Sequence, residues 1–178
     1  MFRDIVFTNT VKWDGRKKAT LNSKNSPQLK ISTPPEFKGP AGYWSPEELF
    51  LASINSCIMT TFLYFVEKFS ASFLSYESSV EGKVSFQDGK LLFTAITVRP
   101  DILVPDKTQK QKIAKIVEKS EKYCLVSSSV ETEIHVLPEI RTEESRAWNK
   151  VHQDEALSMS IGLPLILEQK TNVAALAI

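Results

Sequence analysis

Cys57 and Cys124 are the two cysteines of the chain, and their thiols are its strongest candidate nucleophiles. Cys57 lies in the run ASINSCIMTTF, and Cys124 lies in EKYCLVSSSVE. Taken singly, each cysteine is either a reactive thiol or a small, buried apolar residue. A new helical turn after Cys124 would present free backbone N–H groups that stabilise a thiolate. The two histidines, His135 and His152, form no close ligand pair with each other or with the cysteines, so we expect neither a metal nor another cofactor.

The charge balance of the chain argues against two classes of partner. Its 178 residues include 22 basic and 21 acidic ones, a formal net charge of +1. This balance gives no electrostatic reason to expect nucleic acid or an acidic membrane as a partner. The N-terminal run MFRDIVFTNTVKW carries Arg3 and Asp4 and lacks the apolar core of a secretory signal. We therefore expect a cytoplasmic protein, in which two cysteines are usually free thiols.

Cys57 is positioned by a long, uncharged segment. Ser45, Pro46 and two glutamates open a helix, with the serine as cap and the acids in the first turn. The 18 residues from Leu49 to Val66 that follow carry no formal charge. That length would suffice to cross a membrane, but serine, threonine and asparagine dilute the segment and no basic flank accompanies it. The alternative to a membrane span is a helix at the centre of the fold or of an oligomer.

The remaining elements indicate an α+β fold in the order βββ-α-ββ-α-β, with mostly antiparallel pairing. Turns are predicted at Asp14-Gly15 and at Asp88-Gly89, and a loop is predicted between Pro100 and Pro105. A second helix, capped by Asp106 or Thr108, presents an apolar stripe and leads to Cys124. The stripe consists of Ile113, Ile116 and Val117, and the predicted strands are 5–13, 17–21, 29–33, 76–86, 91–98 and 130–136.

The C-terminal segment differs from the rest of the chain. We expect one domain over residues 1–140 and an extension over 141–178 that is helical in part. Thr142 with two glutamates could open a helix there, and the last residues, NVAALAI, are apolar. Since an exposed apolar end is a liability, we expect the extension to dock on the domain or on a partner.

The two cysteine motifs together resemble the OsmC/Ohr family of thiol proteins. The run SPEELFLASINSC, the hairpin with Asp-Gly, the second helix and Cys124-x-Val126-Ser127 follow one another as in that family, over residues 5–137. The resemblance implies an intertwined homodimer, with antiparallel sheets around two long central helices. It also implies a peroxidase that reduces organic hydroperoxides. Cys57 would become a sulfenic acid, Cys124 would resolve it into a disulfide, and a dithiol reductant would restore the pair.

The same resemblance assigns Glu47 the role of orienting an arginine beside the reactive thiol. Ten helical residues, a rise of about 15 Å, separate Glu47 from Cys57 of the same chain. Either an arginine or the dimer partner bridges the gap, or Glu47 only complements the helix N-terminus. The arginine positions of the family hold other residues here, Trp13 in one branch and the run 34–38 in the other. Arg16 is our first candidate for the missing cation and Lys38 the second.

Two alternative functions remain open. The first is a dimeric protein that binds hydrophobic ligands on the same scaffold, with little or no peroxidase activity. Its pocket would be lined by aromatic residues, which at such spacing are more often core: Tyr43, Trp44, Phe62, Phe65 and Phe69. The second alternative is a membrane-associated protein anchored by residues 49–66.

Overall fold

The fold is α+β, as the sequence predicts, in a computed structural model that describes residues 3–143. Seven strands, two α-helices and two short 3-10 helices follow one another along this part of the chain. The predicted extension over 141–178 lies outside the described residues from position 144 onward. The strands are β1 (Asn9–Gly15), β2 (Lys18–Ser23), β3 (Leu29–Ser32), β4 (Ser75–Gln87), β5 (Lys90–Val104), β6 (Ile134–Val136) and β7 (Glu139–Thr142), and the helices are α1 (Pro46–Lys68) and α2 (Lys107–Tyr123).

The first sheet consists of β1, β2 and β3 in that order, all antiparallel. Its first turn is not at Asp14-Gly15 as predicted, because Gly15 pairs with Lys18 and the loop residues are Arg16 and Lys17. Asp14 instead faces across the sheet, where it accepts a hydrogen bond from Thr20 and pairs with Lys30 at 3.0 Å. With its carboxylate bound there, Asp14 stays in the strand and the turn moves toward the C-terminus.

The second sheet is built around β5. Strand β4 pairs with it in antiparallel register through the predicted turn at Asp88 and Gly89, whose φ angles of +48° and +79° match a tight two-residue hairpin. Strands β6 and β7 pair with β5 in parallel register, one after the other along its length. Of the strand predicted over 130–136, only Ile134–Val136 is extended and paired. Strand β7 was not predicted.

Pro100 lies inside β5, so the prediction of a loop between Pro100 and Pro105 is wrong. The backbone nitrogen of Ile96 donates to Glu133, on the β6 side of the strand. Because successive backbone nitrogens of a strand point to opposite sides, the nitrogens of Ile96 and Pro100, four residues apart, point to the same side. Strand β6 ends opposite Val98 and β7 begins opposite Asp101, so Pro100 lies at the break between them. The missing N–H of proline therefore costs no ladder hydrogen bond.

Both helices begin where the sequence predicts. Ser45 accepts a hydrogen bond from the Glu48 backbone nitrogen at 3.1 Å, and the Glu48 carboxylate accepts one from the Ser45 nitrogen at 2.7 Å. This capping box fixes the start of α1. Of the two candidate caps for α2, Asp106 is the one that accepts a hydrogen bond from Gln109, at 2.8 Å. The predicted stripe of three apolar residues on α2 is buried.

Two hydrophobic clusters form the core. We call one the thiol cluster: Ile54, Ile58, Ile96, Val98 and Cys124. The second, which we call the distal cluster, contains Phe62, Phe65, Ile102, Val104, Ile113, Ile116 and Val117. Both clusters draw residues from α1 and β5, so these two elements run through the whole core.

Within one chain, α1 lies at the surface on one side. Only 22% of its most apolar stretch is buried, and Leu63 and Tyr64 are 42% and 55% exposed. By length and composition alone the helix could cross a membrane, a criterion that core helices of soluble proteins also meet. The first sheet is exposed too, with Val11 and Trp13 at 60% and 72%. The described part of one chain thus leaves large apolar faces uncovered.

Candidate active site

The structure brings the two cysteines together from different elements. Cys57 lies on α1 and packs against the thiol cluster, of which Cys124 is a buried member. Cys124 follows the last residue of α2, and its own backbone is extended. Both side chains are free thiols, Cys57 half-buried and Cys124 fully buried. Two adjacent thiols can form a disulfide, and the thiol that is more accessible to solvent is the one that an oxidant reaches first.

Burial raises the pKa of the Cys124 thiol, and the adjacent Cys57 thiol raises it further. Contacts with Ser127 oppose this rise in the pKa, because its hydroxyl and its backbone N–H favour a thiolate. The N–H lies 3.5 Å from the sulfur, in the tight turn that follows α2. The raised pKa indicates that Cys124 rests as a neutral thiol. The turn after Cys124 provides the backbone donor that the sequence suggested.

The hydroxyl of Ser127 is buried and makes no hydrogen bond with any group in residues 3–143. A buried hydroxyl without an acceptor is uncommon in folded proteins. It lies beside the one group that would become a strong acceptor on losing a proton, the thiol of Cys124. The sequence identifies Ser127 only as part of the motif that follows Cys124. Its position beside the Cys124 sulfur depends on the geometry of the turn and is not predictable from the motif.

The position of α1 over the second sheet is fixed at two points near Cys57. The side-chain amide of Asn55 accepts a hydrogen bond from the Ser78 hydroxyl at 2.7 Å and donates to the Ser78 carbonyl at 3.4 Å. At Gly82 of β4, an added Cβ would lie 2.7 Å from both the Leu51 and Phe93 side chains. The absence of a side chain there lets the helix approach the sheet. Sequence reasoning counted Asn55 only as a polar residue that dilutes the helix.

Glu47 lies in the first turn of α1, which is one unbroken helix, so it does not reach Cys57 of its own chain. One carboxylate oxygen, Oε2, is buried and has no hydrogen-bond partner within the described part of the chain. Glutamates in a first turn complement the helix dipole. Because a buried carboxylate oxygen is normally hydrogen-bonded, we expect Glu47 Oε2 to accept a hydrogen bond from a donor outside residues 3–143 of this chain.

Arg16 and Lys38 lie together, and neither forms an ion pair with Glu47 within residues 3–143. Both line a cleft of about 530 Å³ whose walls are the first hairpin loop and the loop before α1. We call it the basic cleft and define it by Arg16, Lys17, Lys18 and Lys38, with Gly39 and Pro40 completing the wall. Among the ion pairs of residues 3–143, none involves these four cations.

The five aromatic residues proposed for a hydrophobic pocket do not share one. Phe65 and Phe69 line a groove of about 640 Å³ along the C-terminal half of α1, together with Tyr64 and Tyr123. Phe62 is fully buried in the distal cluster. Tyr43 and Trp44 lie in the loop before α1, outside that groove.

No group of three or more His, Cys, Asp or Glu side chains within residues 3–143 is placed to hold a metal ion.

Comparison with known proteins gives a consistent result. The uncharacterised Bacillus subtilis protein YmaD is 23% identical over 138 residues, covering 75% of this chain and 91% of its own length. An OsmC-like protein of unknown function from Vibrio cholerae superposes with a TM-score of 0.68 at 22% identity, covering 77% of this chain and 99% of that one. An organic hydroperoxide resistance protein from Elizabethkingia anophelis gives 0.63 at 16% identity, covering 80% and 100%. These solved structures share the fold, and the model of the family described as OsmC-like protein matches residues 39–139. The chain belongs to the OsmC-like family.

Proposed function

We propose that the protein is a thiol-dependent peroxidase that reduces organic hydroperoxides. The observation that carries this proposal is the contact between two free thiols: half-buried Cys57, which packs against the thiol cluster, and fully buried Cys124, which belongs to it. Membership in a family whose solved structures include organic hydroperoxide resistance proteins favours the same chemistry.

In the proposed reaction, the Cys57 thiolate attacks the O–O bond of the hydroperoxide. The bond breaks, the terminal OH group stays on sulfur as a sulfenic acid, and the other oxygen leaves as an alkoxide that takes a proton from solvent to give the alcohol. The Cys124 sulfur then displaces water from the sulfenic acid and forms a disulfide. An external dithiol reduces the disulfide by exchange and is itself oxidised. A reducing compartment such as the cytoplasm, where we place the protein, provides such donors.

The assignment of roles follows from access and charge. Cys57 is the more exposed thiol, so a peroxide reaches it first. Cys124 is fully buried, and burial raises its pKa, which favours the neutral thiol in the resting protein. A neutral neighbour also avoids placing two thiolates side by side.

The cation that a reactive Cys57 requires would come from a second copy of the chain. The exposed apolar faces of α1 and of the first sheet give such a copy a large surface to cover. In the resulting homodimer, the basic cleft of one copy would present Arg16, or failing that Lys38, to Cys57 of the other. Glu47 would orient the cation, which would give its buried oxygen a donor. Arginine suits this role because its charged fork can bind a carboxylate and a thiolate together.

Paired cysteine variants test the proposal. We expect Cys57→Ser to consume no organic hydroperoxide, and Cys124→Ser to consume one equivalent and stop as a sulfenic acid. Stopped-flow kinetics gives the stoichiometry, and mass spectrometry after trapping with a dimedone-type reagent locates the sulfenic acid. Circular dichroism of both variants controls for folding. Equal peroxide consumption by wild type and Cys57→Ser would overturn the proposed function.

The groove beside Phe65 and Phe69 favours one other function, the binding of an apolar ligand. Its rim carries Lys68 and Lys119, whose ammonium groups lie over the rings of Tyr64 and Phe69. A fluorescent fatty-acid probe distinguishes the two functions. Ligand binding that survives Cys57→Ser, in a protein that turns over no peroxide, would favour the binding protein.

A further inference from the structure

The basic cleft concentrates four positive charges, none of which forms an ion pair with an acid of residues 3–143 of its own chain. The cleft lining contains two glycine or proline residues and four cations, and it contains no carboxylate. By contrast, Lys30 pairs with Asp14 at 3.0 Å, and Arg141 pairs with Asp101. Like charges around one cavity repel one another, and an anion bound between them would offset that repulsion.

The two walls of the cleft are tied to each other. The Lys17 ammonium donates to the carbonyl of Phe37 at 2.5 Å, which joins the hairpin loop to the loop before α1. The Lys17 carbonyl accepts hydrogen bonds from the Ser32 hydroxyl at 2.8 Å and from the Thr33 nitrogen at 3.3 Å. These bonds hold the loops at a set separation, so the cavity exists before any ligand arrives.

Two of the cations are held in backbone conformations that their residue type disfavours. Arg16 has φ +51° and Lys38 has φ +62°, both in the left-handed region where glycine and asparagine are the usual residues. Next to Lys38, a Cβ on Gly39 would lie 1.6 Å from the Thr33 carbonyl oxygen, so that part of the wall admits only glycine. Strained backbone conformations cluster at ligand-binding and active sites, although in this chain positive φ also occurs at turn residues such as Asp88.

We propose that the basic cleft binds an oxyanion group, a phosphate or a carboxylate. The guanidinium of Arg16 and the ammonium of Lys38 approach it from opposite loops, and a guanidinium can bind two oxygens of such a group at once. The Lys17 ammonium keeps two donor hydrogens after its bond to Phe37. Lys18, placed over the Tyr43 ring at 4.8 Å, adds charge at the edge of the site. Arg16 and Lys38 are also the cations that the proposed dimer presents to Cys57 of the second copy, so anion binding is tested in Cys57→Ser protein, where its outcome does not depend on peroxide reduction.

The test is a titration of Cys57→Ser protein, in which no thiol reaction interferes. Inorganic phosphate and butyrate are added separately at low, matched ionic strength, and amide shifts of the hairpin loop and of residues 38–39 are followed by NMR. We expect saturable shifts with at least one of the two anions, and the comparison shows which group the cleft prefers. Sodium chloride at the same ionic strength controls for screening.

Two double variants of equal charge change identify the site. Arg16→Gln with Lys38→Gln should weaken binding at least tenfold. Lys24→Gln with Lys83→Gln, which removes two exposed lysines outside the cleft, should change it less than twofold. Absence of saturable binding of both anions would overturn the proposal. An equal loss of anion affinity in the two double variants would also overturn it, because binding would then depend only on the net charge of the protein.

Discussion

Replacement of Ser127 by alanine probes whether the turn after α2 prepares Cys124 for disulfide formation. In the resting protein, the Ser127 hydroxyl is buried without a hydrogen-bond partner, while the neighbouring thiol is neutral. Loss of the Cys124 proton would create a charged acceptor for that hydroxyl. The alanine variant therefore loses no hydrogen bond while the Cys124 thiol is neutral. When Cys124 is ionised, the variant lacks the hydrogen bond that the Ser127 hydroxyl would donate to the thiolate. We expect the pKa of Cys124 to rise further.

The size of the effect follows from the contacts. One hydrogen bond to a diffuse sulfur charge contributes about 1 kcal/mol, and about 1.4 kcal/mol is a factor of ten in an equilibrium. Since the backbone N–H at 3.5 Å remains in place, only the hydroxyl contribution is lost. The thiolate population of Cys124 at neutral pH should therefore fall about fivefold, as should the rate of disulfide closure.

Two measurements on Ser127→Ala check these numbers. In a Cys57→Ser background, the ultraviolet absorbance of the thiolate against pH gives the titration of Cys124 without requiring access to the buried sulfur. With both cysteines present, stopped-flow kinetics should show slower disulfide closure but an unchanged first reaction of Cys57 with peroxide. Ser128→Ala is the matched control, because that neighbouring side chain is exposed. An unchanged titration in Ser127→Ala, or an equal shift in Ser128→Ala, would refute the reasoning.

Further predictions concern stability and assembly. Burial raises the folded-state pKa of Cys124 above its unfolded value, so its stabilisation is complete below the unfolded pKa and is lost as pH rises through the folded one. Urea titrations should show the free energy of unfolding falling at alkaline pH, and falling less in Cys124→Ala; parallel curves would contradict this. Gly82→Ala should lower that free energy by about 1–3 kcal/mol, because its Cβ would overlap Leu51 and Phe93, and an unchanged thermal midpoint would exclude the clash. Ser45→Ala should cost about 1 kcal/mol by removing the cap of α1, measured by circular dichroism in denaturant, and no loss would argue against the capping box. Light scattering should show a dimer at micromolar concentration, and a stable monomer would contradict the proposed assembly.

Features that depend on nearby residues were predictable from the sequence. The start of α1 follows from a cap, a proline and two acids within four residues, and the hairpin at Asp88-Gly89 follows from two residues that adopt positive φ. The buried stripe of α2 follows from helical spacing of its apolar residues. In each case the determining interaction spans one helical turn or one hairpin.

Features that depend on distant neighbours were not predictable. Strand β7 and the place of Pro100 inside β5 depend on which strands pair with β5, and these come from another part of the chain. The shift of the first turn depends on Thr20 and Lys30 across the sheet from Asp14. The adjacency of the two thiols came from a family resemblance. The residues alone allowed each cysteine to be an ordinary buried side chain.

The passage of α1 and β5 through both hydrophobic clusters has a consequence for how the domain opens. Ile54 and Phe62 lie on one rigid helix, and Ile96 and Ile102 lie on one continuous strand, with one residue of each pair in each cluster. Local unfolding around the thiols would therefore also disrupt the packing of the distal cluster. Amide hydrogens along both elements should exchange at a common slow rate, as a single cooperative unit. A disulfide between Cys57 and Cys124 would then slow exchange at the far end of α2, which contains neither cysteine.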